Sequence, residues 1–282
     1  MNAAFCRPRS LGEALQAMAE GVAMPLAGGT DILPGWANGA VRRPLVDLSS
    51  VPELAGHVGE DADGWYFGAM TTWSQLAAAR LPPYFDAAKQ AALEVGGRQI
   101  QNRGTLVGNV CNASPAADGV TALVCLEAVV RLRSLRGARS VALADFVTGN
   151  RQTARAADEL VTGLTVPRRG PDARSVFRKL GARRYLVISI AMVAVLLEGS
   201  KREMKHVAIA AGSCSAKPVR MASLERGFAG GDANRLAAAA AAGAALPELT
   251  PISDVRASSA YRAHAARTLI AGAVADCAAL LP

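Results

Sequence analysis

The beginning of the chain carries apolar side chains first at helical and then at strand-like spacing. Residues 11–18 place Leu, Ala and Met on one face of a helix, and Ser10 with Glu13 supplies a capping box at its start. Short apolar runs at 23–29 and 45–48 are typical of buried strands. Together these segments predict a small β-α-β unit.

The central part of the chain mixes short strands with short helices. Its predicted elements are a strand at 65–68, a helix from the Thr72 cap to Ala79, a helix at 84–97, strands at 129–134 and 139–142, and a strand that ends before Pro167. Residues 98–118 are rich in Gly and Asn and follow neither period. We predict a long irregular segment there, and such segments inside compact domains are usually functional.

The last part of the chain predicts an α+β unit. An apolar run at 188–197 predicts a central strand, residues 203–215 predict a strand that returns against it, and two alanine-rich helices follow at 235–246 and from Ser258 or Ser259 onwards. Pro, Gly and charged residues concentrate just before this part, which indicates a boundary. The predicted divisions are 1–53, 54–170 and 171–282.

Composition narrows the class of protein. The chain has 282 residues, is 51% hydrophobic and 19% charged, and carries a net charge of +8. Its basic residues form short pairs without interleaved aromatic rings, which argues against nucleic-acid binding. The five cysteines are scattered, the three histidines have no metal-ligand spacing, and no apolar run is long enough for a membrane span. We expect a cytoplasmic protein with no metal site of its own.

Two glycine-containing segments carry the candidate chemistry. "LAGGTDIL" (26–33) ends a predicted strand, and "TLVGNVCNASPAAD" (105–118) lies in the irregular segment. Glycine lets backbone N–H groups approach a ligand closely, and successive N–H groups form a concave anion site that suits a diphosphate. Neither segment matches a P-loop or a G-x-G-x-x-G turn. Two interpretations of these segments remain open. The first segment is an ordinary strand-to-helix turn, or the two segments are loops that hold the two ends of a dinucleotide.

The two segments together resemble the paired signature of the flavin subunit of molybdenum hydroxylases. This family includes carbon monoxide dehydrogenase medium subunits and the FAD domain of xanthine dehydrogenases. The resemblance extends to "RQIQNRGTLVGN" (98–109), "ELVTGLTVP" (159–167), "FRKLGARRYLVISIAMVA" (177–194) and "YRAHAARTLIAGAV" (261–274). It implies an α/β plus α+β fold. Two subdomains would form an FAD-binding part of PCMH type, like vanillyl-alcohol oxidase and MurB, and a C-terminal α+β domain with an antiparallel sheet would follow.

The resemblance also implies which residues bind FAD. The first loop would be Leu26, Ala27, Gly28, Gly29, Thr30, Asp31 and Ile32, and the second would be Thr105, Val107, Gly108, Asn109 and Ser114. Asp118 would bond the ribityl chain or a nearby hydroxyl, Val161 would pack beside the ring system, and Lys179 would lie near the flavin. Val107 stands where the family commonly has Gly. Tyr185 lies near the place of a stacking aromatic residue, although a packing role fits it better.

The function implied by the resemblance is electron transfer. A large molybdopterin subunit would hydroxylate a substrate, and a small subunit would carry electrons through [2Fe–2S] clusters to FAD on this chain. An external acceptor such as NAD⁺, oxygen or a quinone would then receive them, within a dimer of heterotrimers. This chain would need no general acid or base. The alternatives are a stand-alone flavin oxidoreductase and a flavin-free structural subunit.

Overall fold

The computed structural model describes residues 5–39, 43–228, 230–242 and 245–282. The first part of the chain forms a three-stranded parallel sheet in the order β1-β3-β2. Its elements are β1 (Phe5–Cys6), α1 (Leu11–Met18), β2 (Met24–Leu26), α2 (Ile32–Ala37) and β3 (Leu45–Asp47). The predicted β-α-β unit is therefore confirmed.

The start of α1 shows half of the predicted capping box. Ser10 Oγ accepts a hydrogen bond from the Glu13 N–H at 3.2 Å, as expected of an N-cap residue. The Glu13 carboxylate, however, accepts from the N–H of Arg9 at 2.8 Å rather than from that of Ser10. The cap is present, but the reciprocal bond is displaced by one residue.

The central part forms a five-stranded antiparallel sheet in the order β4-β5-β10-β6-β7 and a separate hairpin of β8 and β9. Its elements are β4 (Val58–Asp61), β5 (Gly64–Gly68), α3 (Trp73–Ala78), α4 (Asp86–Glu94), α5 (Arg98–Arg103), α6 (Leu106–Asn112), α7 (Asp118–Cys125), β6 (Val129–Ser134), β7 (Gly137–Ala142), α8 (Leu143–Phe146), β8 (Val147–Gly149), β9 (Gln152–Thr153) and β10 (Leu160–Val166). Short 3-10 turns lie at Leu48–Ser50, Pro52–Leu54 and Pro83–Phe85.

The prediction of an irregular segment at 98–118 was wrong. The segment holds α5, α6 and the first residue of α7. These helices are too short to show a long amphipathic period, and short helices depend on caps and tertiary contacts rather than on propensity. The caps here are Gly97 before α5 and Thr105 before α6.

The C-terminal part packs helices on an antiparallel sheet ordered β11-β12-β13-β14. Its elements are β11 (Arg174–Leu180), β12 (Ala191–Gly199), β13 (Met204–Gly212), β14 (Val219–Arg220), α9 (Ala222–Arg226), α10 (Ala233–Ala241) and α11 (Ser259–Ala279). The predicted hairpin is confirmed, but its first strand begins at Ala191, three residues later than predicted. Ser258 caps α11, and the alanine-rich helix ends at Ala241. Residues 243 and 244 of its predicted range lie outside the described residues.

Strand β12 is buried on both faces, which explains its unbroken apolar run. Met192, Ala194 and Leu196 belong to the core shared with the central part of the chain. Their neighbours at 193, 195 and 197 belong to a second core under α10 and α11. The C-terminal sheet therefore packs against the rest of the protein through one face. Among the described residues, no helix combines the length and the hydropathy that crossing a bilayer requires.

Candidate functional site

The two glycine-containing segments meet at one cavity of about 750 Å³. It is lined from the first segment by Ala27, Gly28, Gly29, Thr30, Asp31 and Ile32, and from the second by Thr105, Val107, Gly108 and Asn109. Val161 of β10 lines it as well. The structure therefore brings together eleven of the fifteen residues that the sequence assigned to a cofactor.

The first segment turns sharply after β2, and its two glycines serve different purposes. A Cβ on Gly28 would lie 1.9 Å from the carbonyl oxygen of Arg103, so only glycine lets this backbone touch the end of α5. Gly29 has a φ of +73°, which favours glycine. Its carbonyl accepts the Leu33 N–H at 2.9 Å as α2 begins. Gly28 thus allows the first segment to contact the end of α5, just before the second segment, and Gly29 makes the turn into α2.

The second segment is fixed by the chain in front of α3. Leu106 N–H donates to Thr71 O at 3.0 Å, and Trp73 N–H donates to Gly104 O at 3.2 Å. Thr105 Oγ1 accepts from the Gly108 N–H at 2.9 Å and caps α6. A Cβ on Gly108 would lie 2.7 Å from that hydroxyl oxygen, so glycine preserves the cap.

Asn109 carries an unsatisfied group in the cavity wall. Its Oδ1 atom is buried and has no hydrogen-bond partner among the described residues. Most buried polar atoms in proteins are hydrogen-bonded, so an exception at a cavity suggests that a ligand completes the set. A polar cofactor with hydroxyl or amine donors fits this requirement.

The cavity also carries charges that the sequence analysis did not single out. Arg151 and Arg155 line it, together with Cys111 and Asn112. Arg151 Nη1 lies 3.1 Å from Asp31 Oδ2, so the one carboxylate in the first loop is paired with a cation. In the sequence only the basic net charge pointed to these arginines, because the β8–β9 hairpin, which carries Arg151, and the residues directly after it match no binding motif.

Four predicted residues do not line this cavity. Leu26 is buried in β2, and Ser114 Oγ accepts from the Ala116 N–H at 3.3 Å. Asp118 and Lys179 instead contact each other, with Lys179 Nζ 2.6 Å from Asp118 Oδ2. Ser189 Oγ donates to the other oxygen of Asp118, also at 2.6 Å.

The pair of Asp118 and Lys179 joins the central part to the C-terminal part. Both side chains are less than a tenth exposed. Burial raises the pKa of the Asp118 carboxyl, whereas the Lys179 ammonium and the Ser189 hydroxyl act in the opposite direction. A second contact of this kind lies nearby, where the Ser213 N–H donates to Pro115 O at 2.9 Å. The end of the second segment is therefore bound to the C-terminal sheet.

Lys179 lines a second cavity, of about 690 Å³, between α4 and the segment after β11. Gln90 and Glu94 contribute from α4, and Arg183 and Arg184 contribute from the other side. Tyr185 is 63% exposed, and the Arg184 guanidinium lies 5.3 Å from its ring centroid. Tyr185 is therefore not part of the core of the described residues, and its packing role stays a prediction.

Comparison with known families identifies the family to which this chain belongs. Residues 1–169 match the FAD binding domain in molybdopterin dehydrogenase, and residues 175–276 match the CO dehydrogenase flavoprotein C-terminal domain. The chain belongs to the FAD-binding medium subunits of the molybdenum hydroxylase family. This medium subunit therefore carries an FAD-binding domain and is an oxidoreductase subunit.

Individual relatives support the assignment. The medium subunit is 30% identical to the glyceraldehyde dehydrogenase medium chain of Sulfolobus acidocaldarius over 94% of both chains. It is 33% identical to the nicotinate dehydrogenase FAD-subunit of Eubacterium barkeri over 66% of its own length and 65% of that protein. It superposes on a chain of the Cu,Mo-CO dehydrogenase structure with a TM-score of 0.89, 26% identity and 98% coverage of both chains.

Proposed function

We propose that this medium subunit binds FAD in the 750 Å³ cavity and passes electrons from the [2Fe–2S] clusters of a small partner subunit to an external acceptor. The observation that carries the proposal is the convergence of both glycine-containing segments on one cavity. A large molybdopterin subunit would hydroxylate the substrate, and the three subunits would assemble as a dimer of heterotrimers. The acceptor would be NAD⁺, oxygen or a quinone.

The residues present fit FAD. The first segment brings the backbone of Gly28 and Gly29 to the cavity wall, where its N–H groups can face a diphosphate. Thr105 and Gly108 hold α6 in place, and the unsatisfied Oδ1 of Asn109 can accept from a cofactor hydroxyl or amine. FAD, when bound, supplies the redox chemistry, and the protein supplies its position and surroundings.

The remaining predicted contacts stay predictions. Val161 lines the cavity and can pack against an aromatic ring system. Asp118 and Lys179 bind each other beside the second cavity, so their contact with FAD depends on how far the cofactor extends from the first cavity. The predicted contact of Ser114 also awaits a bound cofactor.

We also propose the finer fold assignment. A small parallel sheet beside a five-stranded antiparallel sheet, with the cavity between segments of both parts, supports a PCMH-type FAD-binding domain. The proposed divisions are 1–53 and 54–170 for its two subdomains and 171–282 for the C-terminal domain.

The test is flavin content. The full chain should be purified alone and with the products of neighbouring genes, incubated with FAD, dialysed, and examined for visible absorption and released flavin. We expect a yellow protein, loss of bound flavin in Asn109→Ala, and retention in Asn234→Ala, which removes an exposed asparagine at the start of α10. A wild-type protein that stays colourless and releases no flavin would overturn the proposal. Oxidation of a small substrate by the chain alone would instead favour a stand-alone flavin enzyme.

A further inference from the structure

The β8–β9 hairpin places an arginine at the cavity in a backbone conformation that disfavours it. Arg151 lies between the two strands with a φ of +57°. Its N–H donates at 2.9 Å to Ala113 O, and Ala113 itself has a φ of +48° as the C-cap of α6. Left-handed backbone costs an arginine more than a glycine, and such strain is concentrated at functional sites. The fold therefore holds a long cationic side chain where glycine would be easier.

The Arg151 side chain connects three elements at the cavity. Its Nη1 lies 3.1 Å from Asp31 Oδ2 in the first loop and also donates to Asn112 Oδ1 at the end of α6. Asn112 Nδ2 donates to Asp31 Oδ1 at 3.3 Å. All three residues line the cavity.

This ion pair does not by itself account for the arginine. The side chains of Arg151 and Asp31 are 55% and 57% exposed, and exposed ion pairs contribute little to stability. Both of its bonds use Nη1, which leaves the Nε and Nη2 donors without a hydrogen bond to any described residue. Unused donors on a guanidinium at a cavity can bind an anion, since the guanidinium fork matches phosphate oxygens.

We propose that Arg151 binds the phosphate oxygens of the dinucleotide through these donors. The inference rests on the proposed FAD function, because the diphosphate is the anion in question. Asp31 in the same loop would repel that diphosphate, and Arg151 both neutralises this carboxylate and supplies positive charge. Arg155 also lines the cavity, but its Nη1 donates to the carbonyl oxygens of residues 156, 157 and 159 in its own segment and to no residue of the first loop.

The experiment measures binding of FAD, by fluorescence titration, and of ADP, by competition, to the full chain freed of flavin. The variants are Arg151→Gln and Arg151→Gly, and glycine suits the positive φ, so the second variant introduces no backbone strain. The control is Arg136→Gln, which removes an exposed arginine paired with Asp158 outside the cavity. We expect both Arg151 variants to bind FAD and ADP about tenfold more weakly, as for loss of one charged hydrogen bond, and the control to bind like wild type.

Other outcomes would overturn the proposal. An unchanged affinity in both Arg151 variants would show that the arginine makes no contact with the cofactor. A loss of FAD affinity with unchanged ADP competition would place its action away from the diphosphate. Full recovery of affinity in Asp31→Asn/Arg151→Gln would show that Arg151 acts only by neutralising Asp31. If wild type binds neither FAD nor ADP, the proposed function itself fails.

Discussion

The contact between Gly28 and the end of α5 allows a sharp test of how the first segment forms the cavity. Replacement by alanine adds one methyl group, whose carbon would lie 1.9 Å from Arg103 O and 2.7 Å from Arg103 C. Both obstacles are backbone atoms, so no side-chain rotation can relieve the contact. The first segment and the end of α5 must separate by about 1 Å or more before ordinary carbon–oxygen contact is reached.

The expected cost follows from this separation. Forcing one extra carbon into a packed site typically costs about 1–3 kcal/mol, and we expect the upper end of that range because the backbone must move. In a chain of this size the melting temperature should fall by roughly 3–6 °C. Binding of FAD should weaken too, since Arg103 directly precedes the Gly104-Thr105 entry to α6.

Urea unfolding and FAD titration of Gly28→Ala measure the two effects. Gly12→Ala is the matched control, because its added Cβ has only Ser10 Oγ within 4 Å, at 3.9 Å, and alanine favours the helix. The control should be about 0.5 kcal/mol more stable than wild type. If Gly28→Ala keeps both its unfolding free energy and its FAD affinity, the close approach of the first segment to α5 does not shape the cavity.

Three further predictions concern contacts with the C-terminal part. Asp118→Asn should lower the unfolding free energy by about 3 kcal/mol in urea titrations, because Lys179 would remain buried without its counter-charge; a loss below about 0.5 kcal/mol would contradict this. Arg262→Met should lower the free energy of unfolding by about 2–4 kcal/mol, because the buried guanidinium donates to the carbonyls of residues 190 and 213. Arg267→Met, on the exposed side of α11, should leave it unchanged, and equal effects of the two variants would refute the role of Arg262. Burial and the nearby arginines lower the pKa of His206 in the folded chain below 6.5. As the pH drops, this histidine is therefore protonated in the unfolded chain before it is in the folded chain, so the free energy of unfolding should fall below about pH 6.5. That fall, measured by urea midpoints at about pH 7 and about pH 5.5, should be smaller in His206→Gln, and an equal fall would exclude His206 as its source.

The sequence predicted the parts of the fold that local chemistry determines. The caps at Ser10, Thr72 and Ser258 and the strand pair at 129–142 follow from side chains next to each other in the chain. The helices α5 and α6 did not, because their stability comes from contacts with residues at 71–73 that lie far away in sequence.

The cavity likewise combines features that the local sequence reveals with features that only the fold creates. Its glycine-containing segments were recognisable because glycine and its neighbours form a local pattern. Their physical role was not, since Gly28 is required by the carbonyl of Arg103, which only the fold brings near. Arg151 was invisible for a related reason, because a two-residue turn must fold back onto α6 before its side chain reaches Asp31.

The hydrogen bond from Ser213 to Pro115 and the contacts of Asp118 with Lys179 and Ser189 have a thermodynamic consequence. They bind the end of the second segment, whose beginning lines the cofactor cavity, to the C-terminal sheet, and any coupling of two binding events is reciprocal. If docking of the C-terminal sheet strengthens binding of the cofactor, then the bound cofactor stabilises docking of the sheet by the same free energy. A protein that binds α10 and α11 more tightly when the sheet is docked would therefore also strengthen binding of the cofactor.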